Sequence, residues 1–400
     1  MAARGIFKDR ERLSPSFPIE RHWKALPHRT KQLEMLWSLY GDILEKRGNT
    51  FLRVVQVIGP AGTGKTSTLR LFGHEFEERA RALRVDMRHV YVNLKLEGGR
   101  KVVLYRSLLS KVDPALSSPS LSAEEMLRNL TSYLIDERKH VLLTLDEIDY
   151  FLKHYGREEG VLYDLTRLNE LTPDRPCGIV GITFLARERS YRENLDRVEL
   201  SSLGRSYVEF PPYTSSQVFE IIQRRAEEAL MPGSFSDEVL ELIADITSRP
   251  PVHGDMRYAL DLLLYSGTLA EAQGAQEIRP EHVRRVYAAS DHAITSEDIF
   301  SLGEEEKLVL LGLARALASK AASYVTLREI RSFTGVVTEE LGRKPISEVD
   351  EYLQDLSDRG IVDVKSLTRI GISGVPAEDL GRLLENIMER VRSGLNEPEN

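Results

Sequence analysis

The sequence predicts a three-part α/β protein: a five-stranded parallel sheet with flanking helices, then an all-helical unit, then three helices closed by a two-stranded hairpin. Three observations predict it. Short β-branched runs alternate with longer amphipathic stretches up to about residue 210. Strand patterns stop after Pro211 and Pro212, and helical periods take over. From Leu302 the pattern changes again, with three helical stretches ahead of two short apolar runs.

Taken in order, residues 1 to about 30 are polar and punctuated by Pro15, Pro18 and Pro27, an arm leading into a helical period through Leu33, Leu36, Leu39 and Ile43. The strand candidates are RVVQVI (53–58), HVYVNL (89–94), HVLLTL (140–145), GIVGIT (178–183) and SYVEF (206–210). In the helical unit, Ser215 or Ser216 can cap a helix carrying Val218, Ile221 and Ile222, Ser236 can cap a second, and Pro280 suits a first helical position. Beyond Leu302 the periods predict helices over about 304–318, 326–341 and 346–358, the last ending at Gly360, with hairpin strands near 361–364 and 369–372. The expected domains are therefore 1–212, 213–300 and 301–400.

Length and composition agree with two or three globular domains. The chain has 400 residues, 42% apolar and 29% charged, which excludes extended disorder. Cys177 is the one cysteine and can form no intramolecular disulfide. The opening residues lack the apolar stretch of a signal peptide, and no apolar run is long enough to span a bilayer, so a cytoplasmic, nucleoid-associated protein with no membrane partner is expected. With 54 Lys and Arg against 62 Asp and Glu, the net charge of -8 gives no global attraction to nucleic acid, and any DNA contact must rest on local patches.

GPAGTGKT, from Gly59 through Pro60, Ala61, Gly62, Thr63, Gly64 and Lys65 to Thr66, fits G-x-x-x-x-G-K-[ST] between an apolar strand and a helix, with Ser67 following. Glycines let the backbone wrap a phosphate, helix-start amides point inward, Lys65 offers a mobile charge to the β and γ phosphates, and the Thr66 hydroxyl suits Mg2+. A glycine-rich turn is the bland alternative, and the flanking pattern argues against it. VLLTLDEID (141–149) ends a buried strand with two carboxylates. Asp146 is suited to orient the metal and Glu147 to polarise an attacking water as general base. Alone, the pair could equally be an acidic turn capping a helix. ATP or ADP with Mg2+ is the expected cofactor.

On these residues the chain resembles the archaeal origin-recognition and cell-division-control (ORC/CDC-type) replication initiators, which are AAA+ ATPases. The segments carrying the resemblance are FKDRERLSPSFPIERHWKALPHR, the P-loop, LDEID, SSLGRSYVEFPPYT (201–214) and GDMRYALDLL (254–263). It implies a P-loop AAA+ core, an α-helical lid and a C-terminal winged helix-turn-helix. Arg257 matches the lid arginine that reaches the γ phosphate, where a fixed positive charge meets developing negative charge. Pro27, His28 and Arg29 match the segment framing the adenine, and Tyr213 of FPPYT counts with the nucleotide contacts. Arg197 is the candidate arginine for a neighbouring protomer's nucleotide site, at a shifted spacing. Where the family carries a small polar residue and asparagine near the end of the fourth strand, this chain has Thr183 and Phe184. Either Thr183 takes the polar role or the contact is lost, which implies slow hydrolysis.

The resemblance further implies double-stranded origin DNA, a replicative helicase and other initiator protomers as partners. The third helix of the winged unit, about 346–358, is expected in the major groove with Ser347, Gln354 and Arg359 as candidate contacts. Its Glu348, Asp350, Glu351 and Asp355 would repel phosphate, so anchoring falls to Arg328, Arg331, Arg343, Lys344, Lys365 and Arg369, together with Arg100, Lys101 and Arg106 in the insertion after Asn93. Two rivals remain: a signalling NTPase switch whose winged helix binds protein, and a clamp-loader-like remodeller.

Overall fold

Five of the β-branched runs become strands: β1 (Arg53–Ile58), β2 (Met87–Asn93), β3 (His140–Asp146), β4 (Ile179–Ala186) and β5 (Tyr207–Glu209). The structure, a computed structural model, describes residues 5–18, 25–289 and 294–394. The strands form one sheet in the order β2-β3-β4-β1-β5, every pair parallel. Because crossovers cover both faces, the central strands read as continuous apolar runs; every residue of β4 is buried.

On one face, helix Lys65–Ala82 presents Leu69, Phe72 and Phe76 at i, i+3 and i+7, and Trp37 of helix Thr30–Tyr40 meets Phe72 edge-on with ring centroids 5.1 Å apart. Burying each of these large side chains contributes about 1.5–3 kcal/mol. The other face packs helices Lys101–Val112, Ala123–Asp136 and Ile148–Glu159 against Val92, Leu143, Leu145 and Ile182. The parallel strands end together on one edge, and the loops after β1 and β3 emerge there on either side of β4.

The chain divides into two compact units, one holding residues 18–213 and the other residues up to 17 with residues 214 onward. The N-terminal arm falls on the other side of this division from the one expected. The arm was expected with the sheet, yet Ile6 and Leu13 are buried in the second unit. Phe7 bridges Leu230 as a short antiparallel pair, Lys8 N donates to Ala229 O at 2.8 Å, and Arg12 pairs with Glu228 at 3.0 Å.

In that second unit, helices Ser215–Ala229, Asp237–Ser248, Met256–Ala272 and Pro280–Ala288 follow one another. Ser236 caps the second as expected, while the first is capped by Thr214, whose Oγ1 accepts from Gln217 N and whose own N–H donates to Gln217 Oε1. Next come helices Glu304–Lys320, Leu327–Glu340 and Val349–Asp358, then the antiparallel hairpin β6 (Asp363–Ser366) and β7 (Arg369–Gly371), the element order expected. Helix Val349–Asp358 starts later than predicted, leaving Ile346 and Ser347 outside it. Helix Ala377–Gly394 was not predicted; its Leu380 and Leu384 complete the core with Leu310, Leu317 and Leu353. Helices and hairpin share this unit with the four preceding helices: buried Arg284 donates to the carbonyls of Ile372, Ala322 and Ser323 at 2.8–3.0 Å.

Among the described residues, no helix is long and apolar enough to cross a membrane.

Candidate nucleotide site

The loop Gly59–Thr66 leaves β1 and enters helix Lys65–Ala82 through two residues in left-handed backbone, Gly62 (φ 66°) and Gly64 (φ 81°). A Cβ on Gly59 would stand 2.3 Å from Phe210 O, and one on Gly64 would stand 2.7 Å from the Tyr213 hydroxyl, so both positions require glycine for close approach as well. Thr63 Oγ1 closes the loop by donating to Pro60 O at 2.9 Å, and the Lys65 ammonium lies over it, donating to the carbonyls of Gly59 and Pro60 at 2.5 and 2.8 Å. The N-terminus of an 18-residue helix directs its first amides at the space the loop encloses.

Behind the loop, Arg29 is buried and each of its three guanidinium nitrogens donates to a carbonyl: Nε to Thr63 O at 2.8 Å, Nη1 to His28 O at 3.0 Å and Nη2 to Pro211 O at 2.9 Å. Its guanidinium lies 3.8 Å from the Tyr213 ring centroid, a cation–π contact. Burial pushes the arginine's pKa down and the Tyr213 phenol's up. Arg29 and Tyr213 therefore brace the loop against Pro211, a supporting role that the sequence reading missed. His28 beside them has left-handed backbone, φ 58°.

At the end of β3, Asp146 gathers three donors. Thr66 Oγ1 donates to its Oδ2 at 2.6 Å, the Tyr91 hydroxyl to the same oxygen at 2.7 Å, and Glu147 N to Oδ1 at 2.8 Å. Tyr91 was not foreseen; only the parallel register that sets β2 beside β3 brings it there. A hydroxyl and a carboxylate oxygen held this close fit a hard divalent cation completed by phosphate oxygens and water. Among the described residues no three or more His, Cys, Asp or Glu side chains are placed to hold a metal ion by themselves, and a site of this type needs none.

Glu147 sits in left-handed backbone, φ 62°, between strand and helix. A carboxylate side chain held in that region is strained by roughly 1–3 kcal/mol, and such residues cluster where function fixes them. Arg187, the first residue beyond β4, donates from Nη2 to both Glu147 oxygens at 3.1 and 2.9 Å.

Thr183 requires correction. It pairs in register with Thr144, two residues before Asp146, and its buried hydroxyl bonds the Tyr40 hydroxyl at 2.9 Å inside the sheet–helix core. Side chains on one face of a strand recur every second residue, so that face continues through Leu185 to Arg187. The polar side chain that meets Glu147 from this strand is Arg187, which the sequence reading missed because Thr183 and Phe184 were aligned with the family's pair.

Arg197 is exposed at the start of the short helix Arg197–Leu203, which is capped by Asp196. In the other unit, Arg257 is exposed in the first turn of helix Met256–Ala272, where Asp255 accepts from its backbone N–H at 2.8 Å. Of the DNA candidates, Arg100, Arg328 and Lys344 are exposed and make no ion pair among the described residues. Lys101 pairs with Glu124 at 2.8 Å and Arg343 with Glu304 at 2.8 Å. Lys365 pairs with Asp245, and Arg369 with Glu241 at 2.5 Å, both carboxylates on helix Asp237–Ser248. The hairpin cations therefore have carboxylate partners that their sequence neighbourhood did not reveal.

An "AAA domain" family matches residues 53–229 and a "Cdc6 AAA+ ATPase-type lid domain" family matches residues 219–288. The chain is 30% identical over 372 residues to the ORC1-type DNA replication protein of Thermococcus kodakarensis, covering 92% of this chain and 86% of that one. This chain belongs to the ORC1/Cdc6 family of AAA+ ATPases. An ORC1-type DNA replication protein 1 of Aeropyrum pernix is 33% identical, covering 91% of this chain and 89% of its own. Among solved structures, Cdc6p from Pyrobaculum aerophilum superposes with a TM-score of 0.83 at 28% identity, covering 97% of this chain and 100% of that one. The Aeropyrum pernix ORC1 protein in complex with DNA gives 0.61 at 29% identity, covering 97% and 99%. The P-loop and Asp146 described above both fall within the residues matched by the AAA domain family.

Proposed function

We propose that this ORC1/Cdc6-family ATPase is a replication initiator that binds double-stranded origin DNA in an ATP-dependent conformation and helps recruit or load the replicative helicase. The observation that carries the reading is the convergence of the P-loop, Thr66 and Asp146 in a chain whose lid matches the Cdc6 type. An Aeropyrum pernix relative has been solved with DNA, which supports the same partner here.

In this reading Thr66 and Asp146 hold Mg2+, which when bound neutralises charge on the phosphates. Lys65 and the helix-start amides hold the phosphates, with Tyr213 and Arg29 keeping the loop in place behind them. Pro27 and His28 border the base, and Arg257 contributes from the lid. Glu147 accepts the proton of the attacking water. Two features support slow hydrolysis: Arg187 occupies both oxygens of that carboxylate, and Thr183 is committed to Tyr40. ATP then acts mainly as a conformational ligand with hydrolysis as a slow reset.

The C-terminal helices and hairpin serve as the winged helix, with Arg100 and Lys101 of the core insertion as a second contact and Lys344 and Arg343 beside the recognition helix. Arg197 contributes to a neighbouring protomer's site.

Fluorescence-anisotropy titration of labelled duplex DNA across a salt series, with ATP and with ADP, tests the proposal. Salt-sensitive, nucleotide-dependent binding is the expected result. Absence of duplex binding at low salt together with nucleotide-driven self-assembly would instead favour a signalling switch.

A further inference from the structure

Four neighbouring strands of the sheet are each entered past an arginine: Arg84 before β2, Arg138 before β3, Arg175 before β4 and Arg47 before β1. The strand order β2-β3-β4-β1 sets these entries side by side, and all four arginines line one open cavity of 550 Å³. It lies at the N-terminal edge of the parallel sheet, opposite the edge from which the P-loop and Asp146 emerge. With strands about 4.8 Å apart, the row extends roughly 15 Å. We propose that this edge is a second anion site, built to take a chain of phosphate groups.

Backbone conformation gives the first argument. Arg47, Arg84 and Arg138 have φ of 53°, 57° and 56°, the left-handed region where a side chain costs about 1–2 kcal/mol and glycine or asparagine is favoured. Among the described residues of this unit, the other side chains in left-handed backbone are His28 and Glu147, both at the candidate nucleotide site. Strain retained at three successive strand entries, each time with arginine, marks the side chain as the feature kept.

Charge gives the second. None of the four guanidiniums makes an ion pair among the described residues, whereas Arg53, Arg187 and Arg315 each hold a carboxylate. Asp86 is the one carboxylate lining the cavity, so four cations face one anion in a chain of net charge -8. Helix C-terminal dipoles favour cations after the helices that precede Arg47, Arg84 and Arg138, worth about 0.3–1 kcal/mol each. They do not account for Arg175, which follows a turn, or for the convergence on a single cavity.

His140 gives the third. It lines the same cavity, packed so closely over Gly48 that a Cβ there would lie 2.5 Å from the imidazole. Its Nδ1 is buried without a hydrogen-bond partner among the described residues, so this wall of the cavity carries a polar group that the protein leaves unsatisfied. Planar guanidiniums pair bidentately with phosphate, so the ligand class is a run of linked phosphates, either a free oligophosphate or the backbone of a nucleic acid.

The test uses the full chain carrying Lys65→Ala, which disables the P-loop, with and without Arg84→Asn and Arg138→Asn. Asparagine tolerates left-handed backbone, so the added substitutions keep the fold or raise the Tm. Sodium tripolyphosphate and a short single-stranded DNA are titrated separately by calorimetry at low salt. The expected result is that at least one of them binds and weakens about tenfold or more in the asparagine variant, with an unchanged or higher Tm. Preference for tripolyphosphate identifies a free oligophosphate, and preference for DNA identifies the nucleic-acid backbone. Equal affinities with and without the substitutions, or no binding of either ligand, would overturn the proposal.

Discussion

The Arg187 guanidinium donates to both carboxylate oxygens of Glu147, at 3.1 and 2.9 Å. Each oxygen keeps a further lone pair, but the ion pair turns the carboxylate toward the guanidinium and holds it there, so an attacking water must compete with a cation for the base. Removing the cation frees the base, so Arg187→Ala is expected to raise the steady-state rate of phosphate release by roughly three- to tenfold, with nucleotide affinity nearly unchanged. Glu147→Gln is expected to lower that rate by about a hundredfold or more. A large fall in rate for Arg187→Ala would mean that the arginine contacts the γ phosphate instead of restraining the base.

Arg29 holds the P-loop by donating to Thr63 O and Pro211 O from a buried position. Hydrogen bonds from a charged donor contribute about 1.5–3 kcal/mol each, and truncation also leaves buried carbonyls unpaired. Arg29→Ala should therefore lower stability by about 3 kcal/mol and weaken nucleotide binding, measured by denaturant unfolding and by nucleotide titration. Arg29→Lys restores charge without the fork that spans two carbonyls, and is expected to recover only part of either loss. Full recovery by lysine would show that charge alone matters.

How much of this was legible in the sequence follows from the range of each interaction. The P-loop is contiguous and its backbone requirements are written in its own glycines, so Gly59 to Thr66 could be read directly, as could Asp146 at a strand end. Arg187 could not, because its position depends on how far β4 runs past the register pair Thr144 and Thr183. The arm's place beside Ala229 and Leu230 rests on pairings more than two hundred residues apart, which no local pattern encodes. Lys365 and Arg369 looked like free wing cations for the same reason: Asp245 and Glu241 are remote in sequence.

His89 predicts a pH dependence. Packed against helix Lys65–Ala82, it shares a hydrogen bond with Thr144 Oγ1 at 2.8 Å, and burial, reinforced by the nearby Arg70 charge, pushes its pKa from 6.5 down to about 4. The unfolded chain takes up a proton near pH 6.5 and the folded chain does not until about pH 4. Stability is therefore full above pH 6.5 and falls between pH 6.5 and 4, by about 3 kcal/mol in all. His140 and His282, also lowered by burial, act in the same direction. Denaturant unfolding from pH 7.5 to 4 should show a steep loss in wild type and a shallower one in His89→Gln. Equal slopes would mean that His89 is not the group responsible.

Arg369 of the hairpin bonds Glu241 of helix Asp237–Ser248 at 2.5 Å, so a phosphate must compete with a carboxylate for it. Both groups are about two-fifths exposed, so the pair contributes little to stability, on the order of 0–1 kcal/mol. If the hairpin meets DNA, Glu241→Gln should leave the Tm within a few degrees of wild type yet tighten duplex binding several-fold, since it removes a competing negative charge. Arg369→Ala should weaken binding uniformly across sequences and reduce the salt slope by about one. Anisotropy titrations of both variants over a salt series separate the cases. Binding unmoved by either substitution would leave the Glu241–Arg369 pair a fastening within this unit, and would shift the DNA contacts to Lys344 and Arg100.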